Sequence, residues 1–265
     1  MISDSTELQA HELTLSAAAN ERYWAAAGLD HPALRAGRAY PLIAANCTVL
    51  AWMATCDTPV IQTRQRVWCR RQVATPVVLD TSGTVTARFV RRGREYVTVA
   101  TDVRSDGSTI WSSEVDFTPA ATLAPPTTRA GAPADEPRSS DRSTRPQRLD
   151  GERRAFTITD ELIRRYSRRG NYHSEPSTAA ELGLPGLVAQ GTQVCGQAYD
   201  MLLASWGEAF LEAGTFESHF VAIVLGGETT ETTVAINGGQ AEFEVWNTTS
   251  NRPAATGTAN IQVRR

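Results

Sequence analysis

FTITDELIRRYSRRGNYH, residues 156–173, reads as a short β run, a capping residue at Thr159, a helix that reaches Tyr166, and then Gly170-x-x-His173. An earlier stretch, LTLSAAANERYWAAAGLDH at residues 13–31, repeats that order, with Ser16 as the cap, Tyr23 in the helix and Gly28-x-x-His31 after it. The two tyrosines are 143 residues apart and the two histidines 142. The chain therefore reads as two related halves.

The likeness continues downstream. YPLIAAN (40–46) leads into the apolar helical stretch CTVLAWMA (47–54), and LPGLVAQG (184–191) leads into TQVCGQAYDMLLASW (192–206). In the second stretch Val194, Ala198, Met201 and Leu202 share one helical face. Each half then turns to strands. The first offers 59–73, 84–91, 96–103 and 109–117, with turn signals at Ser82-Gly83, Arg92-Gly93 and Asp106-Gly107. The second offers 217–225, 229–236, 240–247 and 255–263, with a hairpin signal at Asn237-Gly238. One helix wrapped by a curved antiparallel sheet satisfies this order in each half. The fold class is α+β, and the outer sheet face is left for solvent or a partner.

Between the halves the composition changes. TPAATLAPPTTRAGAPADEPRSSDRSTRPQRLDGE, residues 118–152, has almost no large apolar side chain and cannot offset its ordering entropy by burial. The expected organisation is a first unit over 1–118, a partly disordered linker over 119–152 and a second unit over 153–265. With 41% hydrophobic and 21% charged residues in 265, the chain is an ordinary globular one. Its net charge of −3 argues against a nucleic-acid partner. All 26 basic residues are Arg, so Schiff-base lysine chemistry is excluded. No run approaches a bilayer span and the N-terminus lacks a signal-peptide pattern, so no membrane association and a cytoplasmic location are expected. The four cysteines form no C-x-x-C pair, and no metal, nucleotide or flavin motif is present; no cofactor is expected.

These motifs resemble those of the MaoC-like enoyl-thioester hydratases and dehydratases, in their double-hotdog form. The likeness is best over 156–206. The family pattern runs Tyr, then Ser-Gly-Asp-x-Asn-Pro-x-His-x-Asp, then Ala and Gly, and later His-Gly at the start of the central helix. His173 falls on the catalytic histidine, Glu175 on the following acid, Ala179 on the Ala, and Gly183 at the matching interval. Gly191 falls on the Gly of His-Gly. The first half resembles the degenerate repeat that supplies scaffold and part of an acyl tunnel. Four positions depart: the catalytic Asp is Arg168, the Asn is Gly170, the Pro is Asn171, and the His of His-Gly is Gln190. Arg stays protonated at neutral pH, so the family's two-residue mechanism does not carry over.

The resemblance implies an acyl-CoA or acyl-carrier-protein substrate and a hydro-lyase reaction, with His173 as acid/base. The Gly191 N–H, at a helix start, is the candidate donor to the thioester oxygen. Gln190 and Asn171 are candidates for orienting water or a substrate oxygen. Arg168 is a candidate for pairing with Glu175 or an anionic group, and Tyr166 for lining the substrate. His31 is expected to be structural, and the tryptophans to lie in the core or the tunnel. Loss of the Asp also fits two other readings. One is a repurposed enzyme that cyclises, isomerises or eliminates on a polyketide-like molecule. The other is a non-catalytic binding protein. The acyl chain is expected in the seam between the units, near His173, and a free sheet edge or outer face would support a homodimer.

Overall fold

The computed structural model describes residues 6–56, 59–119 and 148–261. The first half runs β1 (His11–Leu15), α1 (Ala17–Ala26), α2 (Pro32–Arg35), α3 (Ile43–Thr55), β2 (Val60–Cys69), β3 (Val77–Arg91), β4 (Arg94–Ser105) and β5 (Ser108–Pro119). The second runs β6 (Glu152–Ile158), α4 (Asp160–Tyr166), α5 (Pro176–Glu181), α6 (Gly191–Val194), α7 (Gly196–Trp206), α8 (Glu208–Ala213), β7 (Gly214–Phe220), β8 (Glu228–Asn237), β9 (Gln240–Asn247) and β10 (Arg252–Ile261). Most of the linker stretch, 120–147, lies outside the described residues.

The repeat is visible in its caps. Ser16 Oγ accepts from Ala19 N–H and Thr159 Oγ1 accepts from Leu162 N–H, so both helices begin with the same i to i+3 bond. The ten strands of the described residues join one antiparallel sheet in the order β1-β3-β4-β5-β2-β7-β10-β9-β8-β6. The order is mirrored about the β2–β7 pair, where Arg64 stands opposite His219 and Val67 opposite Phe216. Each half is thus a five-stranded hotdog unit, and the two sheets are continuous across the seam.

Alternation along β2 explains the two faces. Gln65, Val67 and Cys69 are buried under the helices, whereas Arg64, Arg66 and Trp68 point to the outer face. There Arg64 reaches Glu217 and Glu114 at 2.8 Å, and Arg66 also pairs with Glu217. On the inner face α3 buries Ala44, Ala45, Cys47, Thr48, Ala51 and Trp52. The second-half helical stretch breaks at Cys195, and every residue of α7 from Gly196 to Leu203 is buried. Small residues permit close approach: a Cβ on Gly196 would strike the backbone carbonyl of Ala27, which caps α1.

Three readings of the sequence are corrected. Ser82-Gly83 is not a turn; it lies inside β3, opposite Thr101 and Asp102. Gly83 is needed there because a side chain would meet the Ala100 carbonyl and Thr101. The β8–β9 turn is Gly238-Gly239, with Asn237 the last paired residue. Trp68 and Trp246 line no tunnel. Each carries a guanidinium over its ring, Arg66 and Arg148 respectively. Arg92-Gly93 and Asp106-Gly107 are two-residue turns with positive φ at both positions, as their sequences require.

Candidate active site

The loop after α4 is built by Asn171. Its Oδ1 accepts from the His173 N–H at 3.0 Å, and its carbonyl accepts from the N–H groups of Ser174 and Glu175. A short amide side chain that accepts from the backbone two residues on is the Asx geometry, and it sets the direction of His173. The ring of His173 then meets the Val188 carbonyl, with Nδ1 at 2.5 Å from the oxygen. A carbonyl only accepts, so Nδ1 carries the proton and Nε2 keeps its lone pair. The half-buried ring tilts against Tyr172, centroids 4.0 Å apart. Desolvation pushes the His173 pKa down to about 4, and the Val188 bond opposes this only in part.

Gln190 stands before α6, and its Nε2 donates to Ser167 Oγ at 3.1 Å. Ser167 Oγ is in turn 3.1 Å from Asn171 Oδ1. A hydrogen-bonded run thus joins Gln190 to the loop that holds His173. Gly191 begins α6, where the first N–H groups have no partner within the helix. The ring of Phe220 packs on the Cα of Gly191, in the space a Cβ would occupy.

The other candidate residues are placed differently. Tyr166 lies in the core, 0% exposed, 5.3 Å from Tyr23 edge to face. Burial raises its pKa, with Thr192 and Asn46 beside the hydroxyl. Thr192 Oγ1 also donates to Asn46 Oδ1 across the two halves. Arg168 is exposed and makes no ion pair among the described residues, so the expected pairing with Glu175 is not formed. Its Nη2 lies 3.2 Å from Met53 Sδ on α3. His31 caps α2, its Nδ1 accepting from Ala33 N–H at 3.2 Å.

The two equivalent corners of the molecule differ in what faces them. In the first half, Gln193 Nε2 donates to the Ala26 carbonyl at 3.0 Å and Gln197 Nε2 to the Gly28 carbonyl at 2.5 Å. These bonds satisfy the free end of α1 and close that corner. Pro41 and Pro185 give the two central helices an offset of 144, which puts Val49 and Met53 where the second half has Gln193 and Gln197. The corner holding Arg168 and His173 is therefore faced by apolar side chains, and Met53 is 43% exposed. The Tyr172 hydroxyl donates to the Val60 carbonyl at 3.2 Å, which brings the His173 loop against the start of β2.

Two surface clefts lie elsewhere. One of about 500 Å³ is on the outer face beside Trp68, Asp102 and Glu114. Another of about 330 Å³ lies beside Gly151, Met201 and Val234. Neither is lined by His173, so neither is the expected acyl tunnel. Among the described residues no group of three His, Cys, Asp or Glu is placed to hold a metal ion, and no helix is long and apolar enough to cross a membrane.

Several of these participants carry little signal in the sequence. Val188 acts through its backbone. Ser167 stands within residues 156–173, and its signal there is that of a short polar side chain next to Tyr166. Met53 and Asn46 acquire meaning only once the two central helices face each other.

No protein-family model and no curated protein sequence matches the chain. Solved structures do. A MaoC-like dehydratase from Phytophthora capsici superposes with a TM-score of 0.75 at 14% identity, covering 99% of this chain and 97% of the other. Rv0216 of Mycobacterium tuberculosis, described as a double hotdog fold, superposes with a TM-score of 0.63 at 15% identity, covering 98% and 96%. An acyl-ACP thioesterase from Bacteroides thetaiotaomicron superposes with a TM-score of 0.57 at 11% identity, covering 96% and 98%. Two further neighbours are also described as MaoC-type dehydratases. The chain has the double-hotdog fold, in the form that MaoC-like dehydratases use.

Proposed function

We propose that the protein is a MaoC-like enzyme that adds water to, or removes it from, an acyl thioester, with His173 moving the proton. The observation that carries this reading is the hydrogen bond from His173 Nδ1–H to the Val188 carbonyl. It holds one tautomer and leaves Nε2 as the basic atom. In the dehydration direction, Nε2 takes the Cα proton of a 3-hydroxyacyl thioester. The electron pair moves onto the thioester oxygen, which the free N–H groups at the start of α6 stabilise. The imidazolium returns the proton to the β-hydroxyl as the Cβ–O bond breaks. Water leaves, and the Cα–Cβ double bond remains. Hydration is the reverse. One base completes the cycle, which suits a site with Arg168 in place of the family's Asp. A ring with a pKa of about 4 is neutral at pH 7 and, once protonated, a strong donor.

The test is absorbance of the conjugated enoyl thioester over a crotonyl-to-decenoyl series. Wild type is expected to convert at least one member, and His173→Ala or His173→Gln to lower kcat by roughly 10²–10⁴-fold. No conversion of any member ends the reading. A second reading, isomerisation of an enoyl thioester, is favoured by Arg168, because moving one proton between carbons requires no acid for a leaving hydroxyl. Product with a shifted double bond and no added oxygen would select it.

A further inference from the structure

Twelve arginines make no ion pair among the described residues, and seven of them fall on two short segments. Arg88, Arg91, Arg92 and Arg94 occupy the β3–β4 hairpin, where Glu95 is the one acid between residues 86 and 96. Arg165, Arg168 and Arg169 occupy the end of α4 and the loop that leads to His173. In a chain with 29 acidic and 26 basic residues, such segregation is not an average property of the surface. By contrast Arg64, Arg66, Arg148 and Arg154 are all neutralised by carboxylates.

The sheet brings the two segments to one end of the molecule. Gln62 pairs with Phe117, Phe117 with Val97, and Val97 with Arg88, in a single line across four strands. Three strand spacings put Arg88 about 14 Å from the β2 backbone. The Arg91–Arg94 turn extends further in the direction of Val60, and Val60 is the residue Tyr172 holds. Both basic segments thus lie toward the Val60 end of the first-half sheet, the end that the His173 loop also meets. Apolar side chains are exposed among them: Val90 at 70%, Met53 at 43% and Phe89 at 40%, the last stacked on Tyr96. Two basic segments with exposed apolar residues in and beside them, spread wider than a phosphate group, fit a macromolecular face.

We infer that this end of the molecule docks an acidic carrier protein, which delivers its pantetheine-linked acyl group to the His173 corner. The inference rests on the thioester reading above and goes further by naming the carrier. Nucleotide recognition would concentrate cations around one or two phosphates, whereas these are spread over two segments of different halves. Docking of this kind is steered by charge and weakens with salt.

The test uses the full chain and two charge-reversal variants, Arg91→Glu/Arg94→Glu and Arg165→Glu/Arg169→Glu. Each is assayed with crotonyl-loaded acyl carrier protein, crotonyl-CoA and crotonyl-pantetheine. Either variant is expected to raise KM for the carrier-borne substrate by about tenfold, with kcat and both small-thioester KM values within about twofold of wild type. Rising salt is expected to reproduce the effect in wild type. An equal loss on CoA would assign the arginines to nucleotide phosphates and overturn the inference, as would no change on the carrier. Anisotropy of labelled holo-carrier protein, without an acyl group, separates docking from chemistry. Carrier binding that the variants lose supports the surface even where no thioester is turned over. Absence of binding by the wild type overturns it.

Discussion

His173 is poised by two unlike forces. Desolvation lowers its pKa to about 4, and the Val188 carbonyl holds its Nδ1 proton. The folded value lies below the ordinary imidazole value, so the unfolded chain binds this proton more readily. The neutral ring favours folding fully above pH 6.5, and that contribution is lost as pH falls from there toward 4. Wild-type Tm is expected to fall more steeply than that of His173→Gln between those limits, measured by circular dichroism. Equal slopes would show that the ring is not desolvated. The acid limb of activity is expected to lie below pH 5, leaving the rate flat from pH 5 to 7, unlike that set by an unperturbed histidine. Gly191 is constrained by packing. With the Phe220 ring in its Cβ space, Gly191→Ala is expected to cost about 1–3 kcal/mol in a urea titration, and Phe220→Leu to recover part of it. Resemblance to the family motif singled out His173 as a candidate, through its interval to Gly183 and the fit of Gly191. It was not enough to find Val188, since a carbonyl that fixes a tautomer belongs to the backbone and any residue supplies one.

At the scale of elements, the repeat rests on local chemistry. Ser16 and Thr159 satisfy N–H groups that their helices leave open, and each is exposed to solvent. Ser16→Ala and Thr159→Ala are each expected to lower stability by about 1 kcal/mol, additively, since the caps belong to different halves. A strong departure from additivity would mean the halves do not hold their helices independently. Local chemistry of this kind made the helix starts and the Arg92-Gly93 and Asp106-Gly107 turns legible. The same reasoning misread Ser82-Gly83, because a glycine required by a neighbouring strand and a glycine required by a turn look alike in one dimension. The break at Cys195 was likewise hidden, since the apolar run continues through it.

For the molecule as a whole, the decisive junction is β2 against β7. Glu217 is a shared anchor there, bonded by Arg64 and Arg66 from the other half. Burial acts to raise its pKa, but the two guanidinium groups hold it below the ordinary carboxylate value. Its contribution is present above the unfolded pKa and is lost as pH falls through the folded one. Glu217→Gln is expected to cost about 2 kcal/mol at pH 7 by urea titration, with the difference from wild type vanishing in acid. A difference that persists at pH 2 would locate the effect in packing. The mirrored strand order could not be read from the strands singly, because the seam between halves is made by partners such as Arg66 and Glu217, 151 residues apart.

The closed corner has a consequence for stoichiometry. A pair of identical units would offer two mouths per assembly, one at each end of the mirror. Here His31 is committed to holding a helix, and Gln193 and Gln197 bolt that end shut. Saturating a polypeptide of this design with a substrate analogue is expected to consume one molecule per chain in calorimetry, not two. With its halves joined into one chain, the protein is free to make its two ends unlike, one held by Gln193 and Gln197 and the other faced by Met53.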